Sequence, residues 1–271
     1  MPELPEVETI KNQLNNFLPL KIKHVFFSDK TSRLIRQKDF KLESGIITNI
    51  YRKGKFLIFN FDNPDHFLIS HLGMSGSWRI SDKKLVGNEA KHAHIVIEGD
   101  KKVLSYVDPR RFGLAYFLNK ENFEKKINSF PIDISEPTFD AVHIKNIFDQ
   151  NPNKVLKTLL LDQKKFSGVG NYIASEICAR AKILPTRVVS TLTQKDCTNI
   201  KAAIDLIIYG ALKGSGTTFG GGYRDAFGEK GEGVNHLVVF HQKICQMCKK
   251  TEVIKITLGG RGTYYCPHCQ K

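Results

Sequence analysis

The sequence lacks any run of eighteen apolar residues, which excludes a conventional membrane-spanning helix. It also lacks the basic start and apolar stretch of a secretory signal, because it opens Met1-Pro2-Glu3-Leu4-Pro5-Glu6. A cytoplasmic protein, with no membrane partner, is therefore expected. No internal repeat is found. Acidic residues are scarce beside basic ones: 27 Asp and Glu face 41 Lys and Arg, a formal net charge of +14. That deficit favours a polyanionic partner, since each neutralised phosphate releases condensed counterions. Charge by itself leaves a merely solubilising surface equally open. Cysteines number only six in 271 residues, and four of them form two C-x-x-C pairs near the end of the chain. In a reducing cytosol such clustering indicates a metal site and argues against a disulfide framework.

Hydrophobic residues make up 41% of the chain, so it is not composed like a disordered basic tail. Val7, Ile10, Leu14 and Phe17 form one apolar helical stripe, with Pro5 at a favourable start and Glu6 and Glu8 in the first turn. Short strand-like runs follow at Ile22–Phe27, Ile46–Tyr51, Phe56–Phe61, Phe67–His71, His94–Glu98, Val103–Val107 and Leu114–Leu118. Turn residues such as Gly45, Gly54, Asn63-Pro64 and Gly99-Asp100 separate them. An antiparallel sandwich or barrel carrying one N-terminal helix is expected. Beyond about residue 137 the pattern turns helical, over roughly 138–149, 153–162, 169–182 and 194–213. The glycine-rich segment 214–233 then reads as a flexible loop.

Cys245-x-x-Cys248 and Cys266-x-x-Cys269, seventeen residues apart, match the four-cysteine signature of a tetrahedral zinc site. Four protein thiolates leave no position open for water, so a single structural Zn2+ is expected. From His236 to Lys271 six Lys and Arg accompany one acid, Glu252, and Arg261 lies between two glycines. A hairpin tip there would bring backbone and guanidinium to a phosphate, although a solvent-facing arginine fits equally well. Cys178 and Cys197 lie in helical patterns and read as core thiols.

Pro2 directly follows the initiator methionine, which is generally removed before a small residue. The exposed secondary amine would titrate near 8, and the helix starting at Pro5 would depress it further. A neutral amine can attack a sugar C1′ and form an iminium. Glu3 and Glu6 place carboxyls beside it for proton transfer. Prolines and acids also start ordinary helices, and the residues alone do not separate these readings.

The opening Pro2-Glu3-Leu4-Pro5-Glu6-Val7-Glu8 resembles the start of formamidopyrimidine-DNA glycosylases. The similarity runs through Arg52-Lys53-Gly54-Lys55, His71-Leu72-Gly73-Met74-Ser75-Gly76, Asp108-Pro109-Arg110-Arg111-Phe112-Gly113, Leu161-Asp162-Gln163, Gly168-Val169-Gly170-Asn171 and Gly260-Arg261-Gly262-Thr263-Tyr264-Tyr265-Cys266. It covers essentially the whole chain. The resemblance implies an α+β multidomain protein with four parts. These are an N-terminal catalytic β-sandwich with its helix at 1–132, a helix–two-turn–helix domain at 138–215, a lesion-covering loop at 216–235 and a C-terminal β-hairpin zinc finger at 236–271. It implies a monomer acting on double-stranded DNA that contains oxidised bases or abasic sites.

By the same resemblance Pro2 is the nucleophile, Glu3 the general acid and base, Lys55 a phosphate contact and catalytic helper, and Arg261 a further catalytic residue. Met74, Arg110 and Phe112 are expected to fill the hole left by the everted base. His71, His92, Arg111 and Asn171 are expected on DNA, and Thr217, Thr218, Tyr223 and Arg224 on the lesion loop. The implied chemistry is excision of 8-oxoguanine and formamidopyrimidines followed by β,δ-elimination.

Phe219-Gly220-Gly221-Gly222 departs from the commonest family pattern, which bears on lesion preference and not on the reaction. An endonuclease VIII-like enzyme for oxidised pyrimidines is the nearest alternative, against which Leu4 argues. A non-catalytic damaged-DNA binder would keep the basic surface and zinc module without needing Pro2, Glu3 and Lys55. A zinc-ribbon transcription factor explains only the last 36 residues.

Overall fold

A computed structural model describes residues 2–219 and 222–271, so Met1, whose removal is expected, and Gly220 and Gly221 of the glycine triplet lie outside the described residues. By packing, the chain divides into two compact units. One comprises 1–130 with 214–232, the other 131–213 with 233–271.

The first unit begins with helix α1, Leu4–Asn15. Glu3 is its N-cap in a reciprocal capping box with Glu6, and Pro5 sits in the first turn. Val7, Ile10 and Leu14 are fully buried, each contributing about 1.5–3 kcal/mol. Phe17, expected on the same stripe, lies past the helix end and only flanks the core. Asn15 fastens the helix to the sheet: its Nδ2 donates to the Ile50 carbonyl at 2.7 Å and its Oδ1 accepts the Ile50 N–H at 3.0 Å.

Nine strands form one continuous sheet: β1 (Leu20–Phe27), β2 (Ile35–Lys38), β3 (Gly45–Lys53), β4 (Phe56–Phe61), β5 (Phe67–His71), β6 (Ser77–Ser81), β7 (Ala93–Gly99), β8 (Val103–Val107) and β9 (Leu114–Leu118). Their spatial order is β2-β9-β5-β4-β3-β1-β7-β8-β6. The first residues of β1 pair with β3, and after an irregularity at Ile22/His24 the rest pairs with β7. A bulge of this kind bends a strand and raises its twist, so β1 carries the sheet from one layer of the sandwich into the other. Leu57, Phe59 and Leu68 from one half share a buried core with Ile95, Leu104, Tyr106 and Trp78 from the other. The intervening Ile58 and Ile69 face outward, by the two-residue period of a strand, against Phe123 of α3 (Lys120–Asn128).

Two strands and this helix were not legible in the sequence pattern. β2 is a four-residue edge strand with no buried residue. In β6 a charged side chain, Arg79, occupies a buried position and breaks the alternation. In α3 only Phe123 is buried, so no apolar stripe marks it. A short helix, α2, spans Gly87–Ala90.

The second unit holds α4 (Ala141–Asp149), α5 (Leu156–Leu160), α6 (Asn171–Arg180), α7 (Gln194–Lys213) and a hairpin of β10 (Ile254–Leu258) and β11 (Arg261–Tyr265). The hairpin turn is Gly259-Gly260, both at positive φ (53° and 70°), as a two-residue turn with matching twist requires. Buried Glu176 of α6 accepts the N–H groups of Val238, Val239 and Phe240 at 2.8–2.9 Å, fixing the segment that leads into the hairpin. No helix among the described residues is long and apolar enough to cross a membrane.

Candidate active site and nucleic-acid interface

Pro2 and Glu3 are buried at the mouth of α1. The Glu6 carboxylate reaches both sides of this terminus. One oxygen accepts the Glu3 N–H at 2.8 Å, the other the Thr217 N–H at 2.8 Å. One carboxylate thus fixes the residue next to Pro2 and the start of the glycine-rich segment together. Glu8, two residues on, binds Arg52 Nε at 2.7 Å and Lys11 at 2.5 Å. Burial works against its ionisation, but these two cations hold its carboxyl below the ordinary range.

Arg52 also donates to the Gly54 carbonyl at 2.8 Å, which orients the Gly54-Lys55 turn joining β3 to β4. Lys55 is buried there, at 5% exposure. His71 pairs with Phe56 across β4 and β5. Its Nδ1 accepts the Gly73 N–H at 3.1 Å, which leaves Nε2 as the protonated nitrogen of a neutral ring. Burial, and then the charge of Lys55, lower its pKa to about 4.

That depression has a stability consequence. Between about pH 6.5 and about pH 4 the unfolded chain takes up a proton on this imidazole that the folded chain refuses. The contribution of neutral His71 is complete above the unfolded value and lost as pH falls toward the folded one. Replacing His71→Gln should flatten this part of the profile, read as urea midpoints at about pH 7.5 and about pH 5. Equal acid declines in the two proteins would contradict it.

Met74 and Phe112 are 40% and 53% exposed, although such residues are more often core. The Arg110 guanidinium carbon lies 4.8 Å from the Phe112 ring centroid. Arg111 adopts φ +57°, a left-handed conformation uncommon for a side-chain-bearing residue. Gly73, at φ +64°, approaches the Phe112 carbonyl so closely that a Cβ there would come within 2.5 Å. His92 accepts the Asp108 N–H on its carbonyl at 2.9 Å and so flanks the same turn.

In the glycine-rich segment, 223–229 is anchored, contrary to the expectation of a flexible loop throughout. Ile80 of edge strand β6 donates its N–H to Ala226 at 2.8 Å, Gln13 bonds Asp225 and Ala226, and buried Arg79 donates to the Asp225 carbonyl. Tyr223 is 5% exposed and belongs to the sandwich core, not to the loop surface. Burial, with the charges of Glu6 and Asp225, keeps its phenol protonated. Thr218 Oγ1 donates to the Tyr223 carbonyl and accepts the Gly231 N–H, and Arg224 donates to the Gly228 carbonyl. The side-chain partners Gln13 and Arg79 lie far away in sequence, so no local signal reveals this anchoring.

In the second unit Asn171 opens α6. Its Nδ2 donates to the Gly262 carbonyl at 2.9 Å, and its Oδ1 accepts from fully buried Lys157 at 3.0 Å. The helix start is thereby tied to the hairpin beside exposed Arg261. The sulfurs of Cys245, Cys248, Cys266 and Cys269 lie within 4.8 Å of one another. The separations of 4.0 Å (Cys245–Cys269) and 3.9 Å (Cys248–Cys266) suit tetrahedral Zn–S bonds of about 2.3 Å, which space sulfurs about 3.8 Å apart. The four thiolates fit one structural zinc ion.

Three family models match the chain: the formamidopyrimidine-DNA glycosylase N-terminal domain over 1–115, the H2TH domain of the same enzymes over 133–220, and a zinc finger found in FPG and IleRS over 245–271. The chain is 35% identical over 278 residues to the formamidopyrimidine-DNA glycosylase of Syntrophomonas wolfei, and 35% over 276 residues to that of Wolbachia pipientis wMel, with full coverage of both partners in each case. Among solved structures it is similar to MutM in complex with DNA containing carbocyclic 8-oxo-G (29% identity, TM-score 0.86, full coverage of both chains). It is equally similar to wild-type Lactococcus lactis FPG bound to DNA containing an oxidised pyrimidine (28% identity, TM-score 0.86, full coverage of both chains).

Proposed function

Because the chain belongs to the formamidopyrimidine-DNA glycosylase family, a DNA glycosylase of base-excision repair acting on oxidised purines, we propose that it excises the base through a covalent intermediate on Pro2. The observation that carries this reading is the buried Pro2-Glu3 terminus, fixed at the start of α1 by Glu6. With Met1 removed, Pro2 presents a secondary amine whose lone pair lies at the positive end of α1. That lone pair attacks C1′ as the glycosidic bond breaks toward the base, and the proton that the amine nitrogen gives up neutralises the departing base. Glu3 protonates the ring oxygen as the sugar opens, giving an iminium between Pro2 and C1′. Loss of a proton from C2′ expels the 3′ phosphate, and a second elimination expels the 5′ phosphate. Lys55, beside a neutral His71, supplies the cation for a phosphate close to the reacting sugar.

The remaining residues divide by task. Met74, Arg110 and Phe112 fill the space vacated by the everted nucleotide, at the cost of a few kcal/mol of lost stacking. His71, His92, Arg111 and Asn171 contact phosphates, with Arg261 as a further catalytic residue. Thr217, Thr218, Tyr223 and Arg224 form or support the cover over the base. The four functional segments proposed are the sandwich at 1–132, the helical domain at 138–215, the cover at 216–235 and the zinc hairpin at 236–271.

The test is incision of duplexes carrying a single 8-oxoguanine, a formamidopyrimidine or an oxidised pyrimidine. Preference for the two purine lesions supports the reading, and preference for the pyrimidine reassigns the substrate. Affinity for the lesion duplex should fall with salt at a log–log slope of about −0.9 per phosphate contact. A flat response would contradict an interface built on phosphate.

A further inference from the structure

We infer that Asp108 and Ser75 are positioning residues that weld the two void-filling turns into one element, so that Met74, Arg110 and Phe112 enter the duplex already in register. This inference rests on the assignment of those three side chains proposed above.

Asp108 is completely buried between the turns, and its polar groups are engaged in four directions. Oδ1 accepts the Ser75 hydroxyl at 2.6 Å, across 33 positions of sequence. Oδ2 accepts the Gly113 N–H at 2.8 Å, closing the turn that carries Arg110, Arg111 and Phe112. Its carbonyl accepts the Arg111 N–H at 3.2 Å and the ring of buried His94 at 3.1 Å. Its N–H donates to the His92 carbonyl at 2.9 Å. Ser75 completes the link from the other side, because its Oγ also accepts the Arg110 N–H at 3.3 Å. Met74 immediately precedes Ser75, so the thioether on one turn and the guanidinium and phenyl ring on the other share a single buried carboxylate.

The same approach leaves no slack. A Cβ on Gly73 would strike the Phe112 backbone, and one on Gly113 would overlap the Tyr106 hydroxyl at 1.6 Å. Arg110 rests on the Phe112 ring, so its guanidinium is held on the wedge instead of sampling solvent. A side chain that must replace a base in a stack loses less rotamer entropy when its backbone is fixed beforehand. Hydrogen bonds to a buried carboxylate are among the stronger ones available for this purpose.

Ser75→Ala removes one link and leaves Asp108 bonded to Gly113, so the fold is retained. Two substrates separate positioning from general damage. One is a duplex with 8-oxoguanine opposite cytosine, where the everted base leaves a hole. The other is a single-stranded oligonucleotide with a preformed abasic site, where no partner strand demands filling. The expected result is a loss of about tenfold in kcat/KM on the duplex, unchanged cleavage of the single strand, and weaker discrimination between cytosine and adenine opposite the lesion. Ser75→Thr, which keeps the hydroxyl, should restore both duplex turnover and discrimination. Equal losses on the two substrates, or none on either, would overturn the proposal while leaving the enzyme's assignment intact. Wild-type protein that cuts neither substrate would overturn the functional reading and this inference with it.

Discussion

Acylating the N-terminal nitrogen, or retaining one extra residue ahead of Pro2, is expected to lower strand cleavage by at least about 10³-fold while lesion-DNA affinity stays within about threefold. An amide nitrogen delocalises its lone pair into the carbonyl and cannot attack C1′, so the covalent route closes at its first step. Binding rests on phosphate contacts and void filling elsewhere, which the modification does not touch. The buried terminus sharpens the outcome. Pro2 and Glu3 are already enclosed, and the Glu3 N–H is held on Glu6 at 2.8 Å. An extra residue therefore meets a fixed backbone. Parallel measurement of affinity and single-turnover cleavage checks the split. Parallel losses would show that the extension only disrupts the fold, and retained cleavage would remove Pro2 from the mechanism.

The second large effect concerns the four thiolates. Removing zinc, or replacing Cys248→Ser, is expected to weaken lesion-DNA binding by at least about 100-fold, because structural zinc binding is coupled to folding of its module. The module's buried residues are few and include the ligands Cys245 and Cys266 themselves. The Asn171–Gly262 bond depends on hairpin geometry, so loss of the metal would free both Arg261 and the start of α6. The nine-stranded sheet belongs to a separate compact unit and should keep its own unfolding transition. Metal content, DNA affinity and the two transitions, measured on one preparation, check this. Unchanged affinity after complete zinc loss would exclude the hairpin from the interface.

Much of this was readable from residue order because the informative features are local. The four cysteines announce themselves by spacing, and the structure brings their sulfurs together. Helix α1 follows from an apolar stripe, a proline and first-turn acids. The sandwich and the helical region appear as expected from the switch in hydrophobic period, and the C-terminal hairpin as the family resemblance implies. What stayed hidden depends on distant partners. Ser75 and Asp108 sit in recognisable motifs, yet nothing local says that one carboxylate joins them. Arg79 looks like a surface charge until the 223–229 segment covers it. Nothing local says that Lys55 is buried, in a turn that distant Glu8 helps organise through Arg52. Tyr223 belongs by sequence to a glycine-rich loop and by packing to the core.

The most direct test is borohydride trapping. Purified protein is mixed with a duplex carrying one 8-oxoguanine, reduced, digested, and the cross-linked peptide identified by mass spectrometry. An adduct on the nitrogen of Pro2 is the expected result, since reduction converts the iminium into a stable amine. An adduct on a lysine, or tight binding with no adduct on either the lesion duplex or an abasic site, would contradict the account.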